Sequence, residues 1–183
     1  MAYPVQPDVP ASNVTPLDGS KATYSASIVK LAVATSANVI FTLTGSATKT
    51  IRVTRIEMSG TCATTAKNVN FFIAKYSTAA SGGTAGTAPA MTAHDSSNTA
   101  TAAVAVYTAD PTAGTLVGNI RSGNMLMAVT GGTVAPAMYA ANFGDRPSQD
   151  IVLRGTAQQL AISLNGENTA TSVVDINVEW TEE

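Results

Sequence analysis

In the last apolar run of the sequence, residues 173–180, apolar and polar side chains alternate from Val174 onward. Its large apolar residues are Val174, Ile176, Val178 and Trp180, and the residues between them are Asp175, Asn177 and Glu179. Successive side chains of a β-strand point to opposite faces, so this pattern predicts a strand with one buried and one solvent-facing side. The run therefore predicts a sheet that is covered on one face.

Similar short runs, rich in Val, Ile and Thr, recur along the chain between Gly, Pro, Asn and Ser residues. They predict strands at residues 28–34, 39–44, 50–62, 68–76, 101–107, 116–120, 125–129, 150–153, 160–165 and 173–180. No segment combines a helix start signal with an apolar stripe of helical period. We therefore expect an all-β fold, an antiparallel β-sandwich of jelly-roll type, with an immunoglobulin-like sandwich as the second possibility.

Three local patterns refine this expectation. The apolar residues of the run at 50–62 change face in its middle, which predicts a β-bulge near Thr54 and Arg55. The Ser-Gly-Asn sequence at 122–124 predicts a turn between two short strands. The Asn-Gly-Glu-Asn sequence at 165–168 predicts a hairpin that contains a residue at positive φ.

Residues 1–26 form a separate segment because they contain four prolines, which disfavour helices and central strands. We expect an extended N-terminal arm, followed by a sandwich domain at 27–183. Such an arm needs another surface to order it; a neighbouring subunit is the first candidate, and its own domain is the alternative. The arm residues predicted to make this contact are Tyr3, Val5, Val9, Leu17 and Tyr24.

Two further segments are predicted contact sites. Residues 77–99 form a loop rich in Gly, Ala, Ser and Thr, and a loop of this length is usually functional or held by a partner. Its His94 and Asp95 are included in the predicted interface. Arg146 lies in a Gly-Asp-Arg-Pro sequence at 144–147, where it either pairs with the adjacent Asp within a turn or forms a salt bridge with a partner.

Few side chains of this chain suit acid–base or nucleophilic chemistry, since there is one His, one Cys and only 12% charged residues. His94 and Asp95 have the order of a base and its orienting carboxylate. No nucleophile accompanies them, so a turn-forming pair is the simpler interpretation. The single His and Cys62 cannot supply the usual ligands of a structural zinc site. We therefore expect no enzymatic activity, no cofactor and no metal ion.

The charge distribution argues against nucleic acid and membrane partners. The formal net charge is -2, whereas non-specific nucleic-acid binding requires clustered Lys and Arg. No apolar stretch is long enough for a membrane-spanning helix. A surface so poor in charge is weakly protected against association, so we expect other subunits to cover part of it. A soluble monomer coated with small polar groups is the alternative.

Five stretches of the sequence, taken in order, resemble small virion structural proteins of tailed bacteriophages, of the head decoration or cement type. They are Ile-Arg-Val-Thr-Arg-Ile-Glu-Met-Ser-Gly-Thr at 51–61, Ser-Gly-Gly-Thr and His-Asp-Ser within 77–97, Tyr-Thr-Ala-Asp-Pro at 107–111, Phe-Gly-Asp-Arg-Pro and Ile-Val-Leu-Arg-Gly within 143–155, and Ile-Asn-Val-Glu-Trp-Thr-Glu-Glu at 176–183. The resemblance covers most of residues 50–183 and includes no catalytic signature. It implies a β-sandwich that sits on an icosahedral shell, often as a trimer, and bridges capsomers.

These observations lead to one hypothesis and one alternative. The first is a structural protein on the virion surface, assembled in the host cytoplasm, whose partners are the major capsid protein and copies of itself, with a homotrimer favoured. No secretory signal begins the sequence, and no small-molecule substrate is expected. The alternative is a carbohydrate- or receptor-binding β-sandwich module of a phage tail fibre or baseplate.

Overall fold

A computed structural model describes residues 21–33, 39–144, 149–165 and 172–183. All helical or extended elements in these ranges are β-strands. The strands are β1 (Ala22–Ala32), β2 (Val39–Thr44), β3 (Ile51–Cys62), β4 (Lys67–Tyr76), β5 (Thr84–Ala85), β6 (Met91–Ala93), β7 (Ala103–Ala109), β8 (Leu116–Val129), β9 (Tyr139–Asn142), β10 (Ile151–Leu153), β11 (Gln159–Ser163) and β12 (Ser172–Glu182). The predicted all-β class is confirmed.

The strands form two antiparallel layers that are joined at one side. The first sheet has the order β6-β1-β12-β3, and the second has the order β5-β7-β2-β11-β4-β8. The end of β8 runs parallel to the end of β3, where Thr61 and Cys62 pair with Ala128 and Val129. The result is a curled mixed sheet that is compatible with the predicted jelly-roll-like sandwich; this parallel pair is the exception to the predicted antiparallel pairing.

One edge of β3 pairs with three separate segments of the chain. β10 pairs with Ile51–Val53, β9 pairs with residues 55–58, and the end of β8 pairs with residues 61–62. β12 occupies the other edge along almost the whole strand. β3 is therefore the central strand of the first sheet, although β9, with its small Ala and Asn residues, was not predicted from the sequence.

The predicted bulge in β3 is confirmed at Thr54. Glu179 of β12 pairs with Arg55, and the next residue, Trp180, pairs with Val53, so Thr54 has no counterpart. The extra residue restores the inward orientation of the apolar side chains on both sides of the bulge.

The inner faces of the two sheets enclose the main core. Its largest fully buried side chains include Trp180, Tyr24, Phe41 and Phe71. Phe71 explains why the predicted turn at 122–124 is wrong. A Cβ on Gly123 would lie 2.7 Å from the ring carbon Cζ of Phe71, so this glycine provides room for the ring and β8 continues without a turn.

A two-stranded ribbon crosses the outer face of the second sheet. The ribbon consists of residues 77–85 and 107–115, which continue the β4–β8 pairing through bonds such as Ser77 N to Thr115 O at 2.9 Å and the Ser81–Thr112 bridge. At one end the ribbon continues β4, whose last residue, Tyr76, pairs with Gln159 of β11. At the other end it joins β7, which pairs with β2. Much of the loop predicted at 77–99 is thus part of the fold.

The ribbon covers a second, smaller core. Val39, Tyr107 and Ala161 are buried there, and Tyr76 and Ala105 pack against them. All of these side chains point away from the main core. The ribbon is attached to this face by the backbone N–H of Ala80, which donates to Oε1 of Gln159 at 2.9 Å. Burial in this second core raises the pKa of Tyr76.

Thr42 is buried in the same face of β2, and its hydroxyl has no hydrogen-bond partner among the described residues. We expect Thr42→Val to raise the free energy of unfolding by about 1 kcal/mol, because the buried hydroxyl loses its hydration without gaining a partner. Urea denaturation measures the change. Thr44→Val is the matched control, since Thr44 Oγ1 accepts a bond from Gln159 at 2.9 Å and its loss should destabilise the fold. Equal destabilisation by both variants would contradict the prediction.

Two other sequence predictions need correction. β1 begins at Ala22, so the sandwich starts inside the segment predicted as the arm, and residues 1–20 lie outside the described part of the chain. Asn165 has the expected positive φ of 53°, but β11 and β12 do not form a hairpin. β11 belongs to the second sheet and β12 to the first, so the connection between them passes from one layer to the other.

Candidate partner-binding groove

The residues predicted to contact a partner lie in different environments. Tyr24 is a core residue, which corrects its assignment to an interface: it is fully buried, its ring stacks on Trp180 with centroids 6.0 Å apart, and its hydroxyl donates to the carbonyl of Thr99. The remaining arm and turn residues lie outside the described parts of the chain: Tyr3, Val5, Val9, Leu17 and Arg146.

His94 and Asp95 are exposed and belong to a turn after β6, as the simpler interpretation expected. The His94 backbone N–H donates to the carbonyl of Thr23, and one carboxylate oxygen of Asp95 accepts bonds from the amide and hydroxyl of Ser97. These bonds lower the pKa of Asp95. β6 itself pairs with β1, so this part of the loop is held by its own domain.

The strongest candidate site is a groove on the outer face of the first sheet. Its floor is formed by outward-facing residues of β1, β12 and β3, and Met138 lies at its side just before β9. The cavity has a volume of about 200 Å³. This face has solvent on its outer side because the main core lies on the opposite face of the same strands.

A polar ladder crosses the floor of the groove. The Ser27 hydroxyl donates to Oδ1 of Asn177 at 2.6 Å, and the Asn177 amide donates to Oε2 of Glu57 at 3.3 Å. The other carboxylate oxygen of Glu57 forms an ion pair with Arg55. The carboxylate of Glu57 is therefore neutralised within the sheet.

Asp175 lies beside this ladder and supports a bulge in β1. Two residues, Val29 and Lys30, stand opposite Asp175, because Ile28 pairs with Ile176 and Leu31 pairs with Val174. Lys30 has a φ of 57°, a left-handed conformation that costs a non-glycine residue about 1–2 kcal/mol. Its N–H donates to Oδ1 of Asp175 at 2.7 Å, and Ser59 donates to Oδ2 at 3.1 Å.

The bulge turns a large apolar side chain toward solvent. Val29 is 71% exposed and Met138 is 70% exposed, and both line the groove. A bulge commonly re-aims a side chain in this way. The groove thus combines apolar walls with a floor that carries the Asp175 carboxylate, and within the described residues Asp175 makes no ion pair.

The polar side chains of the groove are engaged in hydrogen bonds within the sheet. The groove is lined by two hydroxyl groups, those of Ser27 and Ser59, and both donate to side chains of the floor. Within the described parts of the chain, no His or Lys side chain lines the groove beside them. No aromatic ring is among the described residues that line the groove, so these residues offer no flat platform for a sugar ring. In the described ranges, no three His, Cys, Asp or Glu side chains come together as metal ligands would.

A second notable carboxylate, Glu182, lies at the end of β12 and has a structural role. Its side chain is fully buried and accepts bonds from the N–H groups of Thr101 and Ala102, the Thr101 hydroxyl and Nε1 of Trp180 at 3.0 Å. Lys49 Nζ lies 3.8 Å away. Burial raises the pKa of Glu182, but the hydrogen bonds outweigh burial and the pKa lies below its usual value.

The sequence contained one signal for the groove. Ile28 and Val29 are adjacent apolar residues in an otherwise alternating run, and the same change of parity revealed the bulge at Thr54. Met138 carried no signal, because it reaches the groove through the pairing of β9 with β3.

Comparisons with known proteins add no assignment: no family model, no curated protein and no solved structure matches this chain. No helix in the described residues could span a membrane.

Proposed function

We propose that this chain is a structural virion protein that binds the outside of a phage capsid and holds capsomers together. The observation that carries the proposal is the groove on the open face of the first sheet, where Val29 and Met138 are each exposed by more than two thirds. Large apolar side chains grouped around a concavity favour a protein partner, because burying them gains about 25 cal/mol per Å². The resemblance of residues 50–183 to head decoration proteins supplies the kind of partner.

The mechanism is burial, and no group of the chain reacts. The partners are the major capsid protein and further copies of this chain, arranged as a homotrimer. The N-terminal arm adds a second contact: laying its apolar residues on the shell would remove about 400 Å² of apolar area from water, about 10 kcal/mol before ordering costs. The copies of one oligomer bind the shell together, so a small net gain in binding free energy per copy gives a much higher affinity for the oligomer.

Deleting residues 2–20 is expected to weaken binding to capsid shells at least tenfold without weakening the fold. The described structure begins at Lys21, which keeps its ion pair with Glu183, and β1 starts at Ala22. Occupancy is measured by co-sedimentation with purified shells that lack this chain, and stability is measured by urea denaturation.

Each outcome of this experiment has a separate meaning. If the full chain does not bind shells, the proposed function is wrong. If the full chain and the truncated chain bind equally, the arm is not part of the mechanism. Binding to a glycan array, with no binding to shells, would favour the carbohydrate-binding module instead.

A further inference from the structure

We propose that the groove receives a lysine or arginine side chain of the capsid subunit, with its aliphatic stem between Val29 and Met138 and its charged end at Asp175. This inference rests on the proposed function and names the chemistry of the contact. Three features of the groove carry it: its uncompensated charge, its apolar walls and the preformed position of its carboxylate.

The groove carries one carboxylate whose charge could be balanced by a cation of a partner. Glu57 is neutralised by Arg55, whereas Asp175 has no ion-pair partner within the described residues. Among the described residues, one donor reaches each Asp175 oxygen: the Lys30 N–H and the Ser59 hydroxyl. A carboxylate has about four acceptor positions, so both oxygens retain capacity for an incoming donor.

The walls of the groove suit the stem of a long cationic side chain. Lysine and arginine place their methylene groups along apolar surface while the charged end seeks polar partners. Val29 and Met138 provide such surface on the two sides of the floor, and Ile28 adds to it. A wholly apolar occupant would desolvate Asp175 without a partner, which is costly, and an acidic occupant would be repelled.

Asp175 is already held in place before a partner arrives. Its bond to Lys30 N–H maintains the strained bulge that presents Val29, so the carboxylate and the apolar wall are positioned by one interaction. A preformed site loses less conformational entropy on binding than a site that must be assembled.

Titration of the ¹⁵N-labelled full chain with N-acetyl-lysine methylamide, observed by NMR, tests the inference. We expect saturable shifts of the Lys30 and Asn177 amide signals, with binding at least tenfold tighter than for the N-acetyl-norleucine compound, which has the same stem without the charge. Asp175→Asn keeps an acceptor for Lys30 N–H and should abolish the difference between the two compounds. Glu179→Gln is the matched control, because it removes the same charge from the same face of β12 outside the groove.

Equal binding of the two compounds to the wild-type chain, or no shift with either, would overturn the inference. Met138→Ser provides a second variant at an exposed position and should weaken binding of the lysine compound several-fold. On capsid shells, retention of full occupancy by Asp175→Asn would refute the groove as the contact while leaving the proposed function intact. A chain that binds the lysine compound but no shells would refute the proposed function and leave the groove as a cation-binding site.

Discussion

Replacing Glu182 by alanine is expected to lower the free energy of unfolding by about 3–5 kcal/mol, because the change leaves several buried donors unpaired. The N–H groups of Thr101 and Ala102 and the indole Nε1 of Trp180 all point at this carboxylate. These hydrogen bonds attach the segment before β7 to β12, the last strand in chain order. Urea denaturation at pH 7 measures the loss.

The pH dependence follows from the same contacts. Because the folded pKa of Glu182 lies below the ordinary value of 4.5, the folded state binds this proton more weakly than the unfolded state does. Its contribution to stability is therefore complete above about pH 4.5 and is lost as the pH falls through the folded pKa. Glu182→Gln should reduce this loss of stability as the pH falls below about 4.5, because the variant has no carboxylate to protonate.

Glu183 provides the control for Glu182. It is the next residue, and its pKa is also lowered, through hydrogen bonds from Lys21 and Arg52, but its side chain is about one third exposed. An exposed ion pair contributes about 0.5 kcal/mol, so Glu183→Gln should have a small effect. If Glu182→Gln and Glu183→Gln lower the free energy of unfolding equally, burial does not make Glu182 more important for stability than Glu183.

Trp180→Ala is the second substitution with a large expected effect, about 3–5 kcal/mol, because it opens a cavity in the main core. The indole is fully buried, stacks on Tyr24 and donates to Glu182. Both urea denaturation and the loss of near-ultraviolet circular dichroism detect the change. Trp180→Phe should cost less, since a ring still fills most of the space.

Tyr24→Phe is the matched control for Trp180. It keeps the ring beside the indole and removes only the hydroxyl that donates to the Thr99 carbonyl, so a loss of about 1 kcal/mol is expected. A Trp180→Ala variant no less stable than Tyr24→Phe would show that the core collapses around the missing indole.

The sequence predicted those features that depend on a single strand. Parity alone located the bulge at Thr54, because a strand whose apolar residues change face must contain an extra residue. The strands at β2, β3 and β12 were predicted within a few residues for the same reason. A residue at positive φ was expected within 165–168, and it is Asn165, a residue type that tolerates this conformation better than most.

The failures concern features that depend on contacts between distant parts of the chain. Gly123 was interpreted as a turn residue, but its small size serves the ring of Phe71 on the neighbouring strand. Tyr24 was assigned to the arm because prolines precede it, whereas its partner Trp180 lies at the far end of the sequence. The groove requires β1, β3 and β12 side by side, and no local pattern reveals that arrangement.

The ribbon over the second sheet predicts an order in which parts of the protein fold. Since residues 77–85 and 107–115 lie across β2 and β11, we expect those two strands to pair before the ribbon closes over them. The ribbon contacts, such as that between Ser77 and Thr115, are not local in the sequence, so we expect this step to be slower than the formation of local turns. We therefore expect the smaller core to be completed late in folding, with the ring of Tyr107 in water until the ribbon closes.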